Sequence, residues 1–273
     1  MTAGIRRARL DEAVVTRALA STRSEARGLI MAGRVLVDGR VVDKAGSAVS
    51  AQARVEVVPG PRFVSRAGAK LAHALDVFGV TVTGRSVLDV GASTGGFVDC
   101  VLQRGATQVI ALDVGKGQLD YRLRVDERVV VREGVNARYL TPDQLPFTAD
   151  MLTMDVSFIS VTKVLPAVVA CLTEAFNGLI LVKPQFEAGP SKVGKGGIVR
   201  DALVHRQVVA SVARALTAKV GLQVWGVCPS GLPGVGGNRE FFLWAGRGGA
   251  ECLSPATLAQ LIDEAVEGRD GAG

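Results

Sequence analysis

Residues 86–97, Ser-Val-Leu-Asp-Val-Gly-Ala-Ser-Thr-Gly-Gly-Phe, set an acid and three glycines between a short apolar run and a helix-compatible stretch. A strand, a tight glycine turn and a helix start allow backbone to approach a nucleotide-like ligand and aim unpaired helix N–H groups at it. The spacing is G-x-x-x-G-G, not the G-x-G-x-x-G of dinucleotide sites. Twenty-two residues after Gly91, the run Val109-Ile110-Ala111-Leu112 ends in Asp113. An acid at the tip of the second strand is where doubly wound folds grip a ribose diol. The candidate ligand-binding residues are therefore Asp89, Gly91, Ala92, Ser93, Gly95, Gly96, Phe97 and Asp113.

Three more charged residues stand at the ends of apolar runs: Asp155 after Met154, Lys183 after Leu181-Val182, and Glu240 before Phe241-Phe242. Open α/β sheets bind ligands at the carboxyl ends of their strands. If the last strand runs antiparallel, its start, and so Glu240, lies at that same edge. Lys70, in Ser65-Arg66-Ala67-Gly68-Ala69-Lys70, precedes the first of these strands and can reach the edge from a helix. A lysine beside an alcohol can orient it, stabilise negative charge developing on its oxygen, or take its proton.

These residues need a scaffold, and the pattern predicts one. Strands are expected near 86–90, 108–113, 128–132, 150–155, 178–183, 222–227 and 240–245, with helices over 96–104, 161–175 and 200–219. Seven strands alternating with helices indicate an open α/β sheet. The first sixty residues differ in character. Thr22-Arg23-Ser24-Glu25 fits a capping box ahead of a helix that stops near Gly33, and residues 11–20 read as an earlier helix. Val35-Leu36-Val37, Asp38-Gly39 and Arg40-Val41-Val42 form a hairpin pattern, and Val55–Val58 a last strand. The expected organisation is a small α+β module at 1–59, a linker at 60–66 and the α/β body at 67–273.

The glycine turn with Asp113 resembles the S-adenosyl-L-methionine site of class I methyltransferases, whose fold is a Rossmann-like seven-stranded sheet. Arg9-Leu10-Asp11, Ser24-Glu25-Ala26-Arg27 and Ala32–Gly39 are similar to the small RNA-binding domain named after a ribosomal small-subunit protein, the S-four type. That resemblance implies RNA contacts from Arg7, Arg9, Arg23, Arg27 and Arg34, with Arg6, Arg7 and Arg9 in an N-terminal arm. Lys70, Asp155, Lys183 and Glu240, in that order, resemble the Lys-Asp-Lys-Glu tetrad of the heat-shock-type (FtsJ-like) ribose 2′-O-methyltransferases. One departure is Ala67, where that family has glycine. From about residue 7 to 245 the chain resembles the TlyA family of ribosomal RNA methyltransferases, first labelled haemolysins. The resemblance implies methyl transfer to a ribose 2′-OH, of cytidine, in RNA of both ribosomal subunits. Two other roles compete: an RNA-binding assembly factor with a non-catalytic body, and a membrane-lytic protein.

Charge and composition agree with an RNA partner. Residues 1–70 carry 13 Lys+Arg against 6 Asp+Glu, while residues 71–273 carry 19 against 20. A basic first quarter on a near-neutral body suits a polyanion. Aromatic residues make up 5% of the chain, which argues against a stacking platform of several rings. Cys100, Cys171, Cys228 and Cys252 lie far apart, with His73 and His205 the only histidines, so neither a zinc site nor a disulfide framework is expected. Reduced cysteines and no signal-like or membrane-spanning run point to a cytoplasmic protein without stable membrane insertion. Gly189–Gly196 nearly spells a phosphate-binding loop, but Gly196 replaces its final Ser or Thr. Residues 187–198 instead read as a flexible substrate loop carrying Lys192 and Lys195.

Overall fold

The structure, a computed structural model, describes residues 7–249 and 251–268. The chain divides between Arg62 and Phe63 into two compact units.

The first unit contains β1 (Arg7–Arg9), α1 (Leu10–Thr16), α2 (Arg23–Met31), β2 (Val35–Val37), β3 (Arg40–Val41), β4 (Ala48–Ser50) and β5 (Val55–Val57). β1 pairs antiparallel with β4, and β2 lies between β3 and β5. Leu10, Val14, Ala26, Ile30 and Val35 form its core. Thr22 caps α2 by accepting from the Glu25 N–H at 3.1 Å, but Glu25 reaches back to the Ser21 N–H at 2.8 Å instead of closing the box on Thr22. The hairpin turn is as expected: Asp38 and Gly39 have φ of 50° and 77°, the left-handed pair of a primed turn. Two expectations change. α1 ends at Thr16, not residue 20, because Ala18 turns left-handed (φ 55°) and the Leu19 N–H returns to Val14 O, folding Ala20 into the core. Arg7 and Arg9 belong to a strand, not a free arm; Arg6 lies outside the described residues.

The second unit runs α3 (Arg66–Phe78), β6 (Ser86–Val90), α4 (Gly96–Gln103), β7 (Gln108–Asp113), α5 (Tyr121–Arg124), β8 (Val129–Glu133), β9 (Ala149–Met154), α6 (Leu165–Val169), β10 (Leu172–Val182), α7 (Pro184–Glu187), α8 (Ala202–Ala215), β11 (Gln223–Pro229), β12 (Phe241–Arg247) and α9 (Pro255–Glu267). Seven strands form one sheet in the order β11-β12-β10-β9-β6-β7-β8. Only β12 runs against the direction of the other six. The central strands are apolar on successive residues because both faces are covered. Val87 belongs to the apolar cluster on one face that holds Leu71 of α3 and Val101 of α4, whereas Leu88 and Val90 belong to the cluster on the other face that holds Leu165, Val209 and Ile262 of α6, α8 and α9.

The expected helix over 161–175 is cut short. α6 ends at Val169, and residues 172–182 form the longest strand. Pairing on both sides accounts for this: Leu172 pairs with Ala149 of β9 before the register slips up to Asn177, and β12 pairs from Phe176↔Arg247 to Val182↔Phe241. α9 falls outside the sequence expectation. So does the place of Phe63 and Val64, read as linker. Phe63 packs into the α3–α4 core, and the Val64 N–H donates to Asp99 Oδ2 at 2.8 Å.

Candidate active site

The sheet order reverses between β6 and β9, where open α/β sheets bind ligands. The glycine turn after β6 is stitched to the end of β7, since the N–H groups of Gly91 and Ala92 both donate to Leu112 O. Gly91 has φ 89°, and a Cβ there would lie 2.3 Å from the backbone oxygen of Asp155. Only glycine lets the turn and the end of β9 approach this closely. Asp113 is held from both sides: Oδ2 accepts from the Ser93 N–H at 2.8 Å and Oδ1 from the Gly115 N–H at 2.7 Å. A carboxylate has about four acceptor sites, so further lone pairs remain for a ribose diol.

Beside this turn lies a cavity of about 370 Å³, walled by Gly91, Ser93 and Asp113 on one side and by Asp155, Ser157 and Phe158 on another. A second cavity of about 180 Å³ shares Gly91, Ser93 and Asp155 and is lined by Ala92, Gly96 and Phe97. A glycine cradle, an anchored acid and adjoining cavities fit a nucleoside with a short side arm. Gly95 does not line either cavity; its φ of 94° forms the N-cap of α4. Asp89 also stands apart. It is fully buried behind the turn, where the Thr153 hydroxyl donates to Oδ1 at 2.6 Å. Burial pushes its carboxyl up to about 7, aided by Asp155 and Asp113 and opposed by the Thr153 hydrogen bond. It supports the turn instead of touching a ligand in the cavity.

The four charged residues do converge at the carboxyl edge, as two ion pairs. Lys183 Nζ contacts Asp155 Oδ1 and donates to Ser157 Oγ at 2.8 Å. Lys70 reaches across from α3 and donates to Glu240 Oε2 at 2.6 Å, with side chains only 10% and 3% exposed. Glu240 is therefore bonded to Lys70 and to Gln185, whose Nε2 donates to Oε1 at 3.3 Å, while Lys183 is left to Asp155. The reason is strand direction. β12 starts at this edge, so Glu240 arrives beside the N-terminal part of α3. Gly234 is needed there, because a Cβ would sit 2.0 Å from Glu240 Oε1.

Several residues in the site escaped the sequence reading. Gln185 and Ser157 carry no signal beyond lying two residues from Lys183 and Asp155. Phe158 is 90% exposed and left-handed (φ 65°), a strained backbone for an aromatic residue. Its ring meets Phe186 at 5.0 Å between centroids, and Lys183 Nζ lies 6.0 Å from the Phe186 ring. Composition argued against a large aromatic platform; two rings at the cavity mouth make a small one. Residues 197–199, at the end of the expected flexible loop, are tied down. Asn238 Nδ2 donates to Gly197 O and Asn238 Oδ1 accepts from the Val199 N–H, each at 3.0 Å.

In the first unit, Arg9, Arg23 and Arg27 come together on Asp11. Arg7 is exposed on β1, and Arg34 Nε donates to Val58 O at 3.1 Å, apart from that cluster. Among the described residues no group of three or more His, Cys, Asp or Glu could hold a metal ion, and no helix is long and apolar enough to cross a membrane.

Known proteins repeat this two-part plan. The FtsJ-like methyltransferase family matches residues 63–247, and the S4 domain matches residues 8–55. The chain is 44% identical over 263 residues to the 16S/23S rRNA (cytidine-2′-O)-methyltransferase TlyA of Mycobacterium tuberculosis, covering 96% of this chain and 98% of that one. It is 42% identical over 205 residues to Hemolysin A of Brachyspira hyodysenteriae, covering 74% and 84%. A solved structure from Streptococcus thermophilus, provisionally described as a hemolysin, superposes with a TM-score of 0.72 at 35% identity over 97% of each chain. The glycine turn, the anchored Asp113 and the paired tetrad thus stand in a chain that belongs to the FtsJ-like methyltransferases, in the TlyA group that adds an S4 domain, and it is an S-adenosylmethionine-dependent enzyme.

Proposed function

We propose that this enzyme methylates ribose 2′-hydroxyls, of cytidine, in the RNA of both ribosomal subunits, and that it works in the cytoplasm. The observation that carries this reading is the pair of lysine–carboxylate contacts, Lys183–Asp155 and Lys70–Glu240, at the sheet edge beside the cavity. S-adenosylmethionine, when bound, supplies an electrophilic methyl group on a sulfonium. Asp113 would accept from its ribose hydroxyls, and Gly91, Ala92, Ser93 and Gly96 would line its path. A ribose hydroxyl is a weak nucleophile and must be held in line with the methyl group. Lys183 Nζ is the group to orient the 2′-oxygen and to stabilise negative charge on it as its proton leaves. Asp155 and Ser157 fix the direction of that ammonium, and the Lys70–Glu240 pair with Gln185 closes the far side of the site.

Phe158 and Phe186 extend the reading to the base. Enzymes acting inside structured RNA take the target nucleotide out of its stack, and an exposed ring is a sequence-tolerant surface for it. The first unit, residues 1–62, supplies affinity for RNA through its arginines, whose guanidiniums match phosphate bidentately. The names of the relatives agree with this chemistry, and the lytic names attach to proteins of the same group.

Single-turnover methyl transfer on purified ribosomal subunits tests the reading. Lys183→Ala should fold, bind S-adenosylmethionine in calorimetry, and lose methyl transfer by ~100-fold or more. Lys183→Arg should not restore it, because the guanidinium differs in shape and holds its proton. Near-normal turnover by Lys183→Ala would make the lysine structural and remove the basis of the proposal.

A further inference from the structure

One buried carboxylate organises the basic surface of the first unit. Asp11 is fully buried. It accepts from Arg9 Nε at 3.0 Å and Nη2 at 3.2 Å, from Arg23 Nη2 at 3.3 Å and from Arg27 Nε at 3.1 Å. Arg23 Nη2 also contacts Glu12 at 3.0 Å. The arginines come from β1 and from successive turns of α2, so the carboxylate joins two elements. Each arginine side chain is about half exposed, at 48%, 50% and 53%. The Arg9 guanidinium above all, with Arg27 and Arg23, holds the Asp11 carboxyl well below the usual carboxylate range, so it stays ionised at neutral pH.

Neutralising one buried carboxylate needs one guanidinium. Three leave positive charge to spare at the surface, and three guanidiniums repel one another unless an anion gathers them. Each carries five N–H donors, of which Asp11 and Glu12 engage the minority. The rest have no protein partner among the described residues. A cluster of converging, half-exposed guanidiniums with unspent donors is matched by a tetrahedral oxyanion.

We propose that Asp11 is a positioning residue that gathers Arg9, Arg23 and Arg27 into one preorganised site for a phosphodiester of the RNA substrate. This rests on the RNA-binding reading above and deepens it. The sign of its effect is the opposite of simple charge counting. Removing a negative charge from a basic surface should tighten RNA binding; here it should weaken it, because the fork geometry is lost.

The test uses the full chain and purified ribosomal subunits, with binding followed from 50 to 300 mM KCl and kcat and KM for methyl transfer. Asp11→Asn should raise KM for subunits about tenfold with kcat little changed. It should also lower the slope of log affinity against log salt by about 0.7–0.9, the loss of one phosphate contact. Arg27→Lys, which keeps the charge and loses the fork, should move KM in the same direction. A folded Asp11→Asn protein that binds subunits as tightly as the parent, or more tightly, overturns the proposal. If Asp11→Asn does not fold, an unchanged KM in Arg27→Lys overturns it. The combined Arg9→Ala, Arg23→Ala, Arg27→Ala variant separates the two layers. Parental binding by that variant would remove the RNA-surface reading itself, whereas weak binding there with parental binding in Asp11→Asn would remove only the role of Asp11. Binding of the parent to phosphatidylglycerol vesicles but not to subunits would assign the cluster to a lipid phosphate and overturn the proposal.

Discussion

Lys70 and Glu240 meet at 2.6 Å with almost no exposure, and the fate of that pair can be worked out before measurement. Removing one partner leaves a charge stranded in a low-dielectric site, at a cost of about 3–5 kcal/mol. Lys70→Met strands the carboxylate, and Glu240→Gln strands the ammonium. The double variant strands neither, and the new amide oxygen still accepts from Gln185 Nε2. Its cost should fall to about 1–2 kcal/mol, because exchanging a whole buried ion pair for neutral groups is often close to neutral. The coupling energy of the cycle should therefore exceed about 3 kcal/mol, against about 0.2–1 kcal/mol for an exposed pair. Urea unfolding followed by tryptophan fluorescence reads this unit, because Trp225 and Trp244 are the only tryptophans and lie in its sheet. Methyl transfer should be lost in all three variants, including the stable double one. Single variants costing less than about 1 kcal/mol, or a double variant as unstable as the sum of the singles, would refute the buried-pair argument.

Three other perturbations isolate other parts of the site. Gly91→Ala adds a Cβ 2.3 Å from Asp155 O at φ 89°, so calorimetric S-adenosylmethionine binding and single-turnover rate should both collapse; Gly117→Ala, at φ 71° with open space around it, should cost only the left-handed strain of about 1–2 kcal/mol. Asp89 has its carboxyl raised from 3.8 to about 7, so the fold favours its neutral form; the stability this supplies is complete below about pH 4 and is lost as pH rises to about 7. Asp89→Asn should accordingly gain on the parent by up to about 4 kcal/mol across that window and run parallel above it, in denaturation curves taken from pH 4 to 9; a pH-independent difference would mean that the carboxylate is solvated. Phe158→Ala removes a 90% exposed ring, so unfolding should shift by less than about 0.5 kcal/mol, while kcat/KM on subunits should fall by roughly 5- to 150-fold if the ring stacks a base.

What was legible in the sequence follows from how local each signal is. β6 and β7 were readable to the residue because a strand buried on both faces is a continuous apolar run with sharp ends. The Asp38-Gly39 turn was readable because its backbone demands left-handed residues. The helix over 161–175 was overdrawn because Cys171 and Leu172 prolong an apolar stretch that fits either element; pairing of Leu172 with β9, and from Phe176 onward with β12, some seventy residues later, makes strand of it. The tetrad was legible as a set of strand-end charges. Its partition into two pairs was not, because that depends on where α3 crosses the sheet edge. Asp89 looked like a ligand from its place in the glycine motif, and its direction, inward to Thr153, is set by the pleat. Phe158 had no sequence signal at all; its exposure and strain exist only in three dimensions.

The strand order explains why residues so far apart in sequence form one site. Gly91, Asp155, Lys183 and Glu240 follow or precede β6, β9, β10 and β12, which are consecutive neighbours in the sheet. Adjacent strands lie about 4.8 Å apart, so these four residues form a row along one edge, with the cofactor turn at one end and the Lys70–Glu240 pair at the other. Three members sit at strand ends or just past them, but Glu240 sits before a strand, and it joins the row only because β12 runs antiparallel. A parallel seventh strand would place Glu240 at the opposite edge. Lys70 is the one charged member supplied by a helix, and its bond to Glu240 ties α3 to the end of the row. At the other end, the close approach of Gly91 to the Asp155 backbone ties the glycine turn to the Lys183–Asp155 pair without any side chain between them. Displacing the turn must therefore displace the Lys183–Asp155 pair, which is why a substitution at Gly91 should impair binding and chemistry together, while one at Asp113 should impair binding alone.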